Sequence, residues 1–295
     1  MSERHFLDIL DYDRSTINHI LQLANQLKSE TVKGNWSDCL RHKSLGLLFQ
    51  KPSMRTRVSF ELGMNQLGGT SLVLQNQEIG IGERESVSDI ARVLSSYLDI
   101  IMIRTFEHSI VTELARYSSV PVINGLSDFS HPCQALADLM TIKELKPNLA
   151  GLKLCYIGDG NNVCRSLFHI CKLFNISFYH CCPAGFELPD DGVVVSDNID
   201  NALQNADIVY TDVWASMGQE AETAKRLQLF KDFCITSELM AKANSDAVFL
   251  HCLPAHRGQE VTHDVMESAQ SVVFHQAENR LHAQKGLLVY LLENH

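Results

Sequence analysis

Leu45-Gly46-Leu47-Leu48-Phe49-Gln50-Lys51-Pro52-Ser53-Met54-Arg55-Thr56-Arg57 carries an apolar run through a short polar loop into a serine, a threonine and two arginines. The apolar run reads as a buried strand. From Arg55 onward, Val58, Phe60, Leu62 and Leu67 set a helical pattern that Gly68-Gly69 closes, so a helix is expected over 55–67. Ser53, Met54, Arg55 and Thr56 then fall at its first turn. Unpaired N–H groups and the positive end of the helix dipole stabilise an anion there, and Arg55 and Arg57 add charge-assisted donors. The pattern G-x-x-x-x-G-K-[ST] does not occur, so this anion socket is not a Walker loop.

Strand-like and helix-like runs alternate on both sides of this unit, the mark of βαβ units and parallel sheets. Ile17, Ile20, Leu21, Ala24 and Leu27 share one face of an N-terminal helix. Strands are expected at 71–74, 100–104 and 121–123, with an amphipathic helix over 87–98. A second set of strands is expected at 153–157, 177–182, 193–195, 208–211 and 247–250, before a final helix over about 278–293. The expected fold class is α/β, with two doubly wound domains, each a central parallel sheet flanked by helices.

Three further segments carry chemistry. His131-Pro132-Cys133-Gln134 opens an apolar helix, and an imidazole or carboxamide donor there can stabilise negative charge developing on a carbonyl oxygen. Asp212-Val213-Trp214-Ala215-Ser216-Met217-Gly218 follows the run Ile208-Val209-Tyr210-Thr211, and His251-Cys252-Leu253-Pro254 follows Ala247-Val248-Phe249-Leu250. Ligands of open α/β sheets sit beyond the carboxyl ends of strands. Taken singly, a histidine is more often structural and a free cysteine more often a small buried hydrophobe.

Together the four segments, S-x-R-T-R, H-P-x-Q, D-V-W-x-S-M-G and H-C-L-P-A-H-R-G, resemble the aspartate/ornithine carbamoyltransferase superfamily and, within it, the ornithine branch. Ile103-Arg104-Thr105, Gly158-Asp159-Gly160-Asn161-Asn162 and Ala277-Glu278-Asn279-Arg280-Leu281-His282 are similar to further family landmarks. The resemblance implies a carbamoyl-phosphate-binding domain over 1–130, completed by the C-terminal helix at about 278–295, and an ornithine-binding domain over 131–277. It implies that Ser53, Met54, Arg55 and Thr56 hold the phosphate, with Arg104 bridging to it. Arg104, His131 and Gln134 would address the carbamoyl end, and Cys252, the Leu253 carbonyl and Arg280 would complete that pocket. Asp212 and Ser216 would accept from the α-ammonium of L-ornithine, while Asn162 and the Met217 N–H would donate to its carboxylate. Cys252, Arg104, His131 and Asp212 are the implied catalytic set, Cys252 as proton acceptor or orienting partner, with a thiolate favoured by neighbouring cations as one form.

The implied reaction carbamoylates the δ-amine of L-ornithine, giving L-citrulline and phosphate, and needs no metal or organic cofactor. Four alternatives stand beside it: aspartate as substrate, disfavoured because the D-V-W-A-S-M-G loop offers an anion where a second carboxylate needs cations; another amine substrate such as putrescine or an acylated ornithine; an inactive carbamoyl-phosphate-binding paralogue; and a nicotinamide enzyme built on Gly158-Asp159-Gly160. The last lacks its third small residue, where Val163 stands, and the acidic residue that would hold a ribose hydroxyl. One position departs from the family: Gly80 stands where a Gln or His normally reaches the adjacent subunit's site. The connection over 183–195 is also short for the family.

A net charge of −10 argues against nucleic acid as a partner. Nine cysteines without a C-x-x-C pair suggest free thiols in a reducing compartment, not disulfides or a zinc site. No apolar stretch reaches transmembrane length and no leader is evident, so a cytoplasmic enzyme without a membrane partner is expected, and the family implies a homotrimer.

Overall fold

The computed structural model describes residues 4–215 and 222–294. The chain divides into two compact units, Met1–Met140 with Glu278–His295, and Thr141–Ala277.

In the first unit, α1 (Arg14–Val32) starts at Asp13, whose carboxylate accepts from the Thr16 N–H at 2.7 Å, and buries Ile17, Ile20, Leu21 and Ala24. β1 (Ser44–Phe49), α2 (Met54–Gln66), β2 (Thr70–Gln75), α3 (Asn76–Ile79), α4 (Val87–Ser95), β3 (Ile100–Arg104), α5 (His108–Tyr117) and β4 (Val122–Leu126) follow in turn. The strands form a parallel sheet in the order β2-β1-β3-β4. The chain moves from β1 to β2 on one side and then to β3 on the other. A topological switch therefore lies between β1 and β3, where Phe49 pairs with Arg104. Leu48, Ile90, Ile101, Ile103, Val111 and Leu114 form part of the core beneath it. Outside the sheet, Phe6 covers the edge of β4: its N–H donates to the Val122 carbonyl and its carbonyl accepts from the Asn124 N–H, both at 2.8 Å.

α6 (Pro132–Leu145) and α12 (Val273–Glu293) each contain a boundary between the units. The first division falls at Met140/Thr141, beyond the residue 130 expected from the sequence, because the opening turns of α6 are bonded into the first unit. Cys133 Sγ donates to the Asn124 carbonyl, and Gln134 meets Arg280. Within this unit α12 runs close against α1: a Cβ at Gly286 would lie 2.5 Å from the Ile20 carbonyl oxygen and 2.8 Å from the Ala24 nitrogen.

The second unit contains β5 (Lys153–Ile157), α7 (Asn162–Phe174), β6 (Ser177–Cys181), β7 (Val194–Ser196), α8 (Ile199–Leu203), β8 (Ile208–Thr211), α9 (Thr223–Phe230), α10 (Ser237–Met240), β9 (Val248–His251) and α11 (His263–Met266). Its sheet is parallel, in the order β7-β6-β5-β8-β9, with the switch between β5 and β8. Val209, Trp214, Phe230, Phe233, Ile235 and Phe249 belong to its core, with the Trp214 and Phe230 rings stacked 5.7 Å apart. No helix among the described residues is long and apolar enough to cross a membrane.

Candidate active site

In the first unit the polar groups gather at the carboxyl ends of β1 and β3. Ser53 is the N-cap of α2; its Oγ accepts from the Thr56 N–H at 3.3 Å and donates to Thr56 Oγ1 at 3.0 Å. One orphan donor of the helix start is thereby satisfied. Arg280, on α12, reaches the same turn: Nη2 donates to Thr56 Oγ1 at 3.1 Å and Nη1 to Gln134 Oε1 at 3.0 Å. Gln134 in turn donates from Nε2 to Asp138 Oδ1 at 2.8 Å, so its carbonyl is held toward the arginine. Thr56, Gln134 and Arg280 are all buried. Met54 is 69% exposed, which leaves its main-chain N–H as the group the socket can use. Arg57 pairs with Glu61 one helical turn on, at 2.9 Å.

Arg104 ends β3 as a buried residue, and the Gln50 N–H donates to its carbonyl at 2.9 Å. His131 lies buried just ahead of α6, and burial, then the Arg280 and Arg104 charges, hold its imidazole well below the usual histidine range. It is therefore a neutral hydrogen-bonding group at neutral pH. Its neighbour Cys133 behaves oppositely: burial pushes the thiol up to about 12.

The loop holding Gly80 has a local reason for its glycine. Gly80 is the left-handed C-cap of α3, at φ +60°, and a Cβ there would sit 2.7 Å from the Cβ of Arg84.

The second unit gathers its groups at the β5/β8 switch, where Ile157 pairs with Thr211. Asp212 follows β8 and is buried. Its Oδ2 accepts from Asn161 Nδ2 at 3.0 Å, and its Oδ1 from the Val213 N–H at 2.8 Å and Cys252 Sγ at 3.0 Å. A carboxylate is thus one hydrogen-bond partner of the sulfur. Asn161 caps α7, accepting from the N–H groups of Val163 and Cys164 at 3.0 Å each. Asn162 is the first residue of that helix. Ser216 and Met217 lie outside the described residues.

Cys252 and Leu253 are set by a buried pair that motif reading passed over. The Leu253 N–H donates to His251 Nδ1 at 2.9 Å, which places the imidazole proton on Nε2, facing Glu260 Oε1 at 3.2 Å. Leu253 adopts φ +59°, a strained conformation for a branched side chain. The donor atoms of Asp212, His251 and Cys252 fall within 4.8 Å of one another, but both nitrogens of His251 are already engaged.

Glu260 and Arg226 are polar residues that sequence reasoning left out, and Asn161 entered it only as part of a family landmark, without a role. Arg226 Nη1 donates to Asp159 Oδ2 at 2.8 Å and to the Trp214 carbonyl at 3.0 Å, bracing the loops after β5 and β8. Only Asn161 carried a signal, as an Asn placed to cap a helix.

The residues matched and the relatives found agree with this geometry. The family model for the carbamoyl-P binding domain of aspartate/ornithine carbamoyltransferases matches residues 4–144, and the model for the Asp/Orn binding domain matches 150–291. An ornithine carbamoyltransferase from Anoxybacillus flavithermus is 49% identical over 98% of this chain and 96% of its own. Among solved structures, the ornithine carbamoyltransferase from Pyrococcus furiosus superposes with a TM-score of 0.95 at 46% identity, covering 100% of this chain and 98% of its own. The enzyme from Thermus thermophilus gives a TM-score of 0.91 at 42% identity, over 99% of this chain and 100% of its own. With both family models filled and relatives of this identity end to end, the chain belongs to the aspartate/ornithine carbamoyltransferase family.

Proposed function

We propose that the protein transfers the carbamoyl group of carbamoyl phosphate to the δ-amine of L-ornithine, releasing L-citrulline and phosphate. The observation that carries this reading is the near end-to-end identity to ornithine carbamoyltransferases, combined with an anion socket in the first unit and a carboxylate–thiol pair in the second. The first unit, with the C-terminal helix, is the carbamoyl-phosphate domain, and the second is the ornithine domain.

In this reading the main-chain N–H groups at the start of α2, with Ser53, Arg55 and Thr56, hold the phosphate. Arg104 and Arg280 balance its charge. Neutral His131 and Gln134 address the carbamoyl group, His131 stabilising the oxyanion of the tetrahedral intermediate. Asp212 and Ser216 accept from the α-ammonium of ornithine; Asn162 and the Met217 N–H donate to its carboxylate. Leu253 offers its carbonyl as an acceptor. The δ-amine resembles a lysine, with a reference pKa near ~10.4, so at about pH 7.4 only about a thousandth is free base. Cys252, held by Asp212, positions that amine, and its sulfur takes the amine's proton as its own passes to Asp212 Oδ1. The chemistry draws on no cofactor. We assign the enzyme to the cytoplasm as a homotrimer, by the same family reading.

Citrulline formation from carbamoyl phosphate tests the proposal, with L-ornithine run beside putrescine, N-acetylornithine and aspartate. Turnover confined to ornithine is expected. Activity with another amine instead would reassign the substrate, and no phosphate release with any amine would leave a binding paralogue.

A further inference from the structure

Away from these groups, the first unit holds a second polar pocket. It has a volume of about 260 Å³ and is bordered by α1, the connection after it, the C-terminal end of α2 and α12. Pockets for drug-sized ligands run to about 300–1,000 Å³, so this one suits something smaller.

Its floor is the side chain of Lys285, only 1% exposed. The ammonium donates to Thr31 Oγ1 at 2.7 Å and to Gln66 Oε1 at 3.0 Å. Both partners are neutral, and among the described residues no carboxylate pairs with it. A buried cation without a counter-charge is costly, and here burial pulls the amine down to about 8. An anion delivered from solution would relieve that cost.

The rim has the opposite character. Glu30 lies on it, and its carboxylate is kept below the ordinary range by hydrogen bonds from Lys33 and Asn35. Its pair with Lys33 at 2.8 Å is an exposed i,i+3 contact of the kind that contributes little, so Glu30 remains able to accept from a further cation. Trp36 borders the pocket and is 65% exposed. A cationic floor, an anionic rim and an aromatic wall match, in order, the carboxylate, the ammonium and the side chain of one class of small molecule.

We propose that this pocket binds a free α-amino acid, its carboxylate on Lys285, its ammonium on Glu30 and its side chain against Trp36. The site is independent of the reaction described above, and its occupancy can be read without turnover. It is tied to the anion socket by two contacts: α2 carries Thr56 at its start and Gln66 at its end, and α12 carries their partners Arg280 and Lys285.

Trp36 is one of only two tryptophans, which gives the test its readout. The full-length protein is titrated with glycine, L-leucine and L-arginine while intrinsic fluorescence is followed, with acetate and ethylamine as the two half-ligands. A saturable change is expected for at least one amino acid. That change should vanish in Trp36→Phe, weaken at least tenfold in Glu30→Gln and be at least tenfold weaker for either half-ligand. Lys285→Met should abolish it; if that variant does not fold, Glu30→Gln, at a half-buried surface position, still decides. A response that survives in Trp36→Phe, or one equally strong in Glu30→Gln or with acetate, would overturn the proposal, as would no response at tens of millimolar.

Discussion

Glu260 accepts a hydrogen bond from His251 across 3.2 Å, with both side chains fully buried, and the other ring nitrogen of His251 accepts the main-chain N–H of Leu253. A carboxylate outside the catalytic groups thereby selects the tautomer that holds a strained residue beside Cys252. Glu260→Ala would leave a buried imidazole N–H without its acceptor, a loss of about 1–3 kcal/mol. Unfolding by urea should register that loss, and turnover should fall with it. Glu260→Gln keeps a carbonyl acceptor and should recover most of both; equal damage in the two variants would mean that charge, not hydrogen bonding, is what the site needs.

Cys252 and Asp212 form the next testable unit. Proton transfer by a positioned side chain contributes about 10²–10⁴-fold to rate, so Cys252→Ala should lower kcat within that range. In the proposed reading the phosphate is held by other residues, so KM for carbamoyl phosphate should move about twofold or less. Steady-state kinetics with ornithine saturating checks both halves, and unchanged kcat would remove the cysteine from the chemistry.

Acid should weaken the fold through His131. Its folded imidazole titrates well below the ordinary value of 6.5, so in the interval below pH 6.5 the unfolded chain binds a proton that the native chain does not. Stability therefore falls as pH drops through that interval, by about 1.4 kcal/mol per unit for one such group. His180, lowered chiefly by burial, adds to the same slope. Urea midpoints at several pH values below 6.5 should show a shallower decline in His131→Gln than in the unaltered protein.

Gly80 bears on whether the family's usual side chain could simply be restored. Gly80→Gln must place a side chain at φ +60° with its Cβ 2.7 Å from that of Arg84. Left-handed backbone costs a non-glycine residue about 1–2 kcal/mol. The variant should melt lower than the parent and gain no affinity for carbamoyl phosphate. A tighter-binding, equally stable variant would show that the loop can reshape around the longer residue.

Much of this architecture was legible because its signals are local. The strands at Ile100–Arg104, Lys153–Ile157 and Ile208–Thr211 coincide with apolar runs that a turn or a charged residue ends. The helix of the anion socket begins one residue earlier than its apolar pattern suggests, because Ser53 caps it. The last helix starts at Val273 and not near 278, since Phe274, His275 and Gln276 carry no amphipathic signature. α3, α10 and α11 were not legible at all: four residues are too few to show a period.

At the sites, residue types announced themselves but pairings did not. His251 and Cys252 belong to a readable motif, yet their partners Glu260 and Asp212 are fixed by a chain reversal and by sheet order, which no spacing rule encodes. Gly80 departs from the family's usual residue, and its left-handed backbone angle is a demand of its own turn that no motif announces.

The pairing of Phe6 with β4 has a consequence for how the protein ages and is handled. Edge strands with open hydrogen-bonding groups invite other chains to add to them. Here a short segment occupies that edge, and the Leu7 carbonyl also accepts from the buried Asn124 side chain at 3.0 Å. Proteolytic nicking just beyond Leu7 would strip the cover in one cut, leaving the Asn124 side chain with the Ser130 hydroxyl at 3.1 Å but without its main-chain acceptor, and a sticky strand exposed. Trimmed material should therefore precipitate before it loses its catalytic groups, so clarity of a stored sample would report on the intactness of its first few residues.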